Sequence, residues 1–198
     1  MKKLLTGAVI ISSLFLISCG GNNTDDTTTT TDTAKMDAKE VAEEKNDKKI
    51  DSAGDMKSDA DFAVKVADAG MLEVALGKLA LKNASSPKVK EYAQMMIDDH
   101  SKANAELTEA AKKKNISLPA AMSDKCQKKY ADLSEKKGKD FDKDYMSAMV
   151  DGHQDVLDAM KTEADKGADA DLKAWASGKV ATVQHHLDVA KSTKDMLK

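Results

Sequence analysis

The 198-residue sequence contains no arginine, so all 31 of its basic residues are lysines. Without guanidinium groups, the protein lacks the side chain that binds phosphate and carboxylate groups in a bidentate manner. The formal net charge is −3, which leaves no excess of positive charge to follow a nucleic-acid backbone. We therefore expect no nucleic-acid partner.

Proline, cysteine and aromatic residues are also scarce. There are two prolines and two cysteines, and aromatic residues make up 4% of the chain. Cys19 ends an N-terminal apolar segment, which leaves Cys126 alone and excludes an internal disulfide framework. In residues 58–198, the low proline content, abundant alanine and lack of β-branched runs predict helix almost throughout.

The N-terminus has the pattern of a secretory signal. Two lysines precede an apolar run over residues 4–17, which is too short for a transmembrane helix. The ending Leu-Ile-Ser-Cys at residues 16–19 resembles the bacterial lipoprotein box, in which the signal is cut before a cysteine that becomes lipidated. We predict a signal peptide over residues 1–18 and a lipidated Cys19. An ordinary secretory signal with a cysteine near its cleavage site is the alternative.

A lipidated Cys19 determines the expected location and the first expected partner. It would attach the protein to a membrane of the bacterial cell envelope. The residue two places further on is Gly21 and not aspartate. By resemblance to enteric bacterial sorting, this favours the outer membrane, with the protein facing the periplasm.

Residues 19–57 are predicted to be a disordered tether behind the lipidated cysteine. They are rich in Thr, Asp and Lys and contain almost nothing large and apolar. Such a composition cannot bury enough surface to offset the entropy of ordering. A transient helix over residues 37–50 would have little to pack against.

Apolar stripes at steps of three and four residues predict four long helices in the remaining domain, residues 58–198. The predicted helices cover residues 59–83, 87–114, 140–166 and 169–197. Short turns join them in pairs, and residues 115–139 form a long crossover with a short helix from Pro119 to Gly138. The predicted fold is therefore all-α, with the connectivity of an antiparallel ferritin-like four-helix bundle.

Four polar residues interrupt the apolar stripes, one near the middle of each long helix: Glu73, His100, His153 and His186. The helix lengths on either side of the turns give these residues similar depths, so we expect them to meet in one layer. Buried carboxylate and imidazole groups are costly unless they are paired. Two interpretations are open, namely a metal or small-ligand site and a self-satisfied hydrogen-bond layer that fixes helix register.

A metal site in this layer would be mononuclear, with histidine as the main ligand. A di-iron bundle needs glutamate three residues before histidine on two helices, but those positions hold Ile97, Val150 and Val183. Imidazole and carboxylate ligands suit zinc, copper, iron and manganese. The identity of the ion is open among these four.

Three neighbouring residues are alternative ligands or supports for the ligands. Met96 and Met149 each lie one turn before an inward histidine. Methionine sulfur favours cuprous copper, although methionine also fills gaps in cores. Asp99 directly precedes His100 and either holds a ligand in place or faces water. No catalytic residue is predicted, because no phosphate loop, nucleophile elbow or triad signature occurs.

Several motifs in residues 58–196 occur together in one known protein family. The strongest is Asp99-His100-Ser101, followed by inward histidines in the last two helices. The other matching positions are Phe62, the run Glu-Val-Ala-Leu-Gly-Lys-Leu-Ala from Glu73 to Ala80, Val89-Lys90, Phe141-Asp142, Tyr145, His153 and His186. With these motifs the chain resembles domain-of-unknown-function family 4142 over residues 58–196. The resemblance implies an exported bacterial protein with a ferritin-like bundle. It implies no activity, substrate or cofactor, so the four polar residues carry over only as signature positions.

Two functions are compatible with these patterns. One is a lipid-anchored binding module that holds one metal ion or a small ligand in the bundle core. The other is a non-catalytic structural or interaction lipoprotein with a self-satisfied polar core. An enzyme is the third choice, because the sequence identifies neither a nucleophile nor an open substrate pocket.

Overall fold

The computed structural model describes residues 36–50 and 56–197. These residues form helices and no strand, which confirms the predicted all-α class. The helices are α1 (Ala38–Lys49), α2 (Met56–Asn83), α3 (Pro87–Lys113), α4 (Asp124–Ser134), α5 (Gly138–Lys166) and α6 (Ala170–Asp195). Within the described ranges, no helix combines the length and apolarity needed to cross a membrane. The predicted signal peptide, Cys19 and the tether before residue 36 lie outside the described residues.

The four long helices pack as two hairpins that contact each other. Helix α2 packs on α3, and α5 packs on α6, with a short turn inside each pair. Helix α2 also contacts α5, and α3 contacts α6, so the hairpins form a helical bundle. The crossover from α3 to α5 carries the short α4, which packs mainly on α2.

The short crossover helix has different boundaries from those predicted. It begins at Asp124 and not near Pro119, because Ser123 caps it and its Oγ accepts a backbone N–H of the first turn at 3.3 Å. Gly138, the predicted end of the short helix, instead begins α5 with a φ of 62°. Glycine suits this left-handed conformation because it has no Cβ to clash with the backbone.

The core consists of two apolar clusters with a polar layer between them. One cluster surrounds Phe62 and Leu157, and the other surrounds Tyr92 and Tyr145. On each long helix, a polar residue lies between a residue of one cluster and a residue of the other. Glu73 lies between Val66 and Leu76, and His100 lies between Met96 and Leu107. His153 lies between Met149 and Val156, and His186 lies between Val183 and Ala190. The four predicted polar residues therefore mark the boundary between two halves of the core.

The predicted disordered tether over residues 19–57 is wrong for Ala38–Lys49, which form helix α1. Ala42 and Asn46 are buried, and α1 packs on α2. The Asn46 side chain accepts the Ser117 backbone N–H at 2.7 Å and donates to the Ser117 carbonyl oxygen at 2.9 Å. The composition misled the prediction because a buried amide, and not a large apolar side chain, makes the main contact. Residues 51–55 lie outside the described residues.

Three buried aspartates hold the loops that lead into other helices. Each carboxylate accepts hydrogen bonds from a loop, and such charge-assisted bonds are stronger than neutral ones. The pairs are Asp59 with the N–H groups of Ala168 and Asp169 (3.1 and 2.6 Å), Asp68 with the N–H and hydroxyl of Ser123 (2.8 and 2.6 Å), and Asp142 with the N–H groups of Ser85 and Ser86 (3.1 and 2.9 Å). These bonds fix where α6, α4 and α3 begin.

Glu163 is a buried carboxyl group near the end of α5, and its residue is 3% exposed. Burial, followed by the charges of Asp59 and Asp169, raises the pKa of Glu163 from 4.5 to about 7. The folded protein therefore favours the protonated form. The stability that this group contributes is fully present below pH 4.5 and is lost as the pH rises through 7.

We expect Glu163→Gln to remove this pH dependence, because glutamine cannot ionise. Between pH 5 and pH 8 the parent should lose about 2–3 kcal/mol of unfolding free energy relative to the variant, since one pKa unit corresponds to about 1.4 kcal/mol. Urea unfolding at both pH values measures the difference. Glu109→Gln, at an exposed glutamate of α3, is the control. An equal pH dependence in the parent and Glu163→Gln would contradict the role of Glu163.

Candidate metal centre

The structure brings the four predicted polar residues into one layer. Glu73 comes from α2, His100 from α3, His153 from α5 and His186 from α6, and none is more than 8% exposed. The centroids of the three imidazole rings form a nearly equilateral triangle with sides of 5.2, 5.4 and 5.5 Å. Each long helix thus contributes one group, and the layer joins the two hairpins.

Each imidazole has one ring nitrogen held by an acceptor. The three pairs are His100 Nδ1 with Glu73 Oε2, His153 Nδ1 with the main-chain carbonyl oxygen of Met149, and His186 Nε2 with Asp99 Oδ2, all at 2.9 Å. Carboxylate and carbonyl oxygens only accept hydrogen bonds, so the ring nitrogens that face them carry the protons. In a neutral ring, the opposite nitrogen then has a free lone pair.

The opposite ring nitrogens are buried and have no hydrogen-bond partner in the described part of the chain: His100 Nε2, His153 Nε2 and His186 Nδ1. One ring nitrogen of each histidine lies within 4.8 Å of one on each of the other two. In a tetrahedral zinc site with Zn–N bonds of about 2.0–2.1 Å, the nitrogens are about 3.4 Å apart. Small side-chain movements would therefore bring one ring nitrogen of each histidine onto one ion. Ligating histidines usually donate their other N–H to a carboxylate or carbonyl group, and that arrangement is present here.

Glu73 acts in this geometry as a hydrogen-bond acceptor, whereas the sequence prediction placed it among the ligands. Its Oε2 accepts from His100, and its Oε1 lies 3.5 Å from Nδ1 of His153. Burial alone would raise the pKa of the Glu73 carboxyl, but His100 and His153 outweigh burial and lower it to about 2. Glu73 is therefore ionised, and a single carboxylate faces rings on two other helices.

The three imidazoles differ in their preference for charge. At His100, burial would lower the pKa, but the charge of Glu73 and the hydrogen bond to it outweigh burial and raise the pKa. Burial dominates at the other two, so the pKa of His153 is lowered and that of His186 falls to about 4. At neutral pH, His153 and His186 are thus neutral rings that can offer a lone pair to a metal ion.

The three neighbours named from the sequence have different positions. Asp99 accepts from His186, although its side chain is 49% exposed, so it connects the layer to solvent. Met149 takes part through its main-chain carbonyl oxygen, which accepts from His153. Met96 is fully buried in the same apolar cluster as Met149. Asp99 and Met149 therefore hold the rings in place.

A cavity of about 150 Å³ adjoins the layer. Its lining includes Glu73, His100 and His186 at the buried end. Lys102 of α3 and Thr182 of α6 also line it, and both are exposed. The layer can therefore be reached from solvent between α3 and α6.

Two buried tyrosines near the layer are absent from the predicted site. The hydroxyl groups of Tyr92 and Tyr145 are buried without a hydrogen-bond partner among the described residues, and the Tyr92 ring lies 6.3 Å from that of His153. A repeated pattern could have identified them, because Tyr-x-x-x-Met-x-x-x-His occurs at residues 92–100 and again at 145–153. Residues four apart lie on one face of a helix, so each triplet points in a common direction.

The family model described as Domain of unknown function (DUF4142) matches residues 43–193, which include all four residues of the layer. This match confirms the family predicted from the sequence motifs. It begins inside α1, in agreement with the packing of α1 on α2. No curated protein and no solved structure matches the chain.

Proposed function

This chain belongs to the DUF4142 family, and we propose that it binds one transition-metal ion through His100, His153 and His186. The observation that carries this proposal is the set of three buried ring nitrogens without hydrogen-bond partners. Leaving a buried polar atom unpaired costs about 1–3 kcal/mol. A metal ion bound to all three nitrogens would remove that cost at each of them.

The ligand set favours zinc, copper, iron or manganese, with imidazole suiting the first three best. Three histidines leave at least one position for a further ligand, as in catalytic zinc sites. The cavity beside His100 and His186 provides room for that ligand. Glu73, Asp99 and the Met149 carbonyl oxygen would keep the rings oriented toward the ion.

A structural or interaction role with a closed polar core is the second interpretation. In a self-satisfied layer, the buried ring nitrogens would have partners within the layer. Here one nitrogen of each ring is paired, and the opposite nitrogen is buried without a partner in the described part of the chain. This asymmetry favours metal binding over a closed network.

We also propose a ferritin-like four-helix arrangement and a lipid anchor at Cys19. Two helical hairpins connected by a crossover with its own short helix support the first. The Leu-Ile-Ser-Cys sequence that ends the apolar N-terminal run supports the second. The module would then sit at a membrane of the bacterial envelope. Gly21 favours the outer membrane, with the module facing the periplasm.

The metal content of the purified protein tests the proposal. We expect about one ion per chain in protein prepared without a His-tag and incubated with zinc, copper, iron or manganese. We expect none in His100→Ala/His153→Ala, because one remaining imidazole cannot hold the ion in the bundle. Mass spectrometry of the intact protein and elemental analysis measure the occupancy.

His185→Ala is the matched control, since His185 is exposed and directly precedes His186. It should bind the ion as the parent does. Circular dichroism shows whether each variant folds, and His186→Asn provides a second ligand variant with a polar side chain in the same layer. A folded parent that takes up none of the four ions would overturn the proposal. So would a double variant that retains a full equivalent of metal.

A further inference from the structure

The cavity between α3 and α6 has a polar entrance and an apolar interior. Exposed Lys102 and Thr182 lie at the entrance, together with Lys179. Buried apolar side chains line the interior: Val66, Met160 and Val183. The imidazoles of the layer stand at the inner end, so a molecule that enters would meet the metal site last.

A metal ion bound in the layer would make the charges around the cavity favourable to an anion. Lys179 forms an ion pair with Glu106 at 2.6 Å, which leaves the charge of Lys102 without an ion pair in the described part of the chain. The two acidic groups of the lining, Glu73 and Asp99, balance the charges of Lys102 and Lys179, so the protein groups alone give no excess of positive charge. A divalent ion on three imidazoles would add positive charge at the inner end. Positive groups at both ends of a narrow cleft attract a small anion.

The size of the cavity limits that anion to a compact molecule. A cavity of about 150 Å³ is comparable to an engineered protein cavity that holds one benzene molecule. A carboxylate with a short alkyl chain fits this space, and the chain would contact the apolar interior. A sugar phosphate or a nucleotide is too large to be enclosed in it.

On the basis of the proposed metal site, we propose that the cavity binds a short-chain monocarboxylate. Its carboxylate oxygen occupies the open coordination position of the ion. Its alkyl chain packs against Val66, Met160 and Val183. Lys102 attracts the anion at the entrance and stabilises its charge.

Cobalt(II) is the reporter for the test, because its visible absorption changes when a ligand enters its coordination shell. The cobalt-loaded protein is titrated separately with butyrate, butyramide and butylamine, which share an alkyl chain and differ in charge. We expect butyrate to give a saturable spectral change. The neutral amide should bind at least tenfold more weakly, and the cationic amine should give no change.

Two variants locate the binding. Ala103→Leu adds bulk to the cavity lining and should weaken butyrate binding at least tenfold, whereas Ala105→Leu makes the same change at an exposed position of α3. Lys102→Gln should weaken butyrate binding about threefold to tenfold, as expected for an exposed charge. Elemental analysis establishes that each variant retains its cobalt, since none of these positions offers a ligand to the ion.

The outcomes separate this proposal from the metal proposal. Failure of the protein to bind cobalt or any of the four ions would count against the metal site itself. If butyrate leaves the visible absorption spectrum of the cobalt-loaded protein unchanged, the carboxylate proposal alone is overturned. Equal binding of butyrate and butyramide would do the same, as would butyrate binding that Ala103→Leu and Lys102→Gln both leave unchanged.

Discussion

Glu73→Ala is expected to lower the free energy of unfolding of the metal-free protein by about 3–5 kcal/mol. The Glu73 carboxylate is buried, ionised and hydrogen-bonded to His100, and it also faces His153. Alanine would leave the imidazole N–H of His100 buried without its acceptor. Urea unfolding in the presence of a chelator measures the effect without any contribution from metal.

Two further variants test that explanation. Glu73→Gln keeps the shape and one acceptor oxygen, so its effect should be about half as large. Glu73→Leu/His100→Leu removes both partners, and replacing a buried pair by apolar residues is often close to neutral. If the double leucine variant is destabilised as much as Glu73→Ala, the loss comes from packing and not from an unpaired polar group. In the metal-loaded protein, Glu73→Gln should also weaken metal binding about 10- to 100-fold.

Asp142→Ala is expected to lower the free energy of unfolding by about 2–4 kcal/mol. The residue is 1% exposed and lies near the start of α5. Its carboxylate accepts the backbone N–H groups of Ser85 and Ser86 and the hydroxyl of Ser85. Because these donors lie just before α3, the substitution should loosen the junction between the two hairpins. Urea unfolding and hydrogen exchange of the Ser85 and Ser86 amides measure both consequences.

Asp144→Ala is the matched control for this prediction. Asp144 lies on the same helix two residues further on, and its ion pair with Lys136 is more than 40% exposed on both side chains. Exposed ion pairs contribute about 0–1 kcal/mol, so this substitution should change stability little. Equal losses in the two variants would show that the buried hydrogen bonds of Asp142 are not the source of the effect.

The long helices and the polar layer were accessible to sequence reasoning because both depend on periodicity. A step of three or four residues determines which face of a helix a residue occupies, and this alone placed His100, His153 and His186 on inward faces. The same reasoning gave the depth of the layer from the helix lengths. The start of α3 followed from Ser86 and Pro87, whose local preferences suit the first positions of a helix.

The remaining features depend on contacts between distant parts of the chain. Nothing local to α1 indicates that Asn46 bonds to Ser117, and nothing local to Asp142 indicates that it caps a turn 56 residues earlier. Which ring nitrogen of His100 and of His186 is hydrogen-bonded also depends on acceptors from other helices. Glu73 was therefore assigned to the ligands, although its contacts make it the acceptor that orients them.

The layer lies between the two apolar clusters, well away from the ends of the four long helices. Helix ends open and close locally at far lower free-energy cost than the packed middle of a bundle. The alignment of His100, His153 and His186 is therefore insensitive to fraying of any single terminus. We therefore expect amide groups near the layer to exchange with solvent more slowly than those at the helix ends.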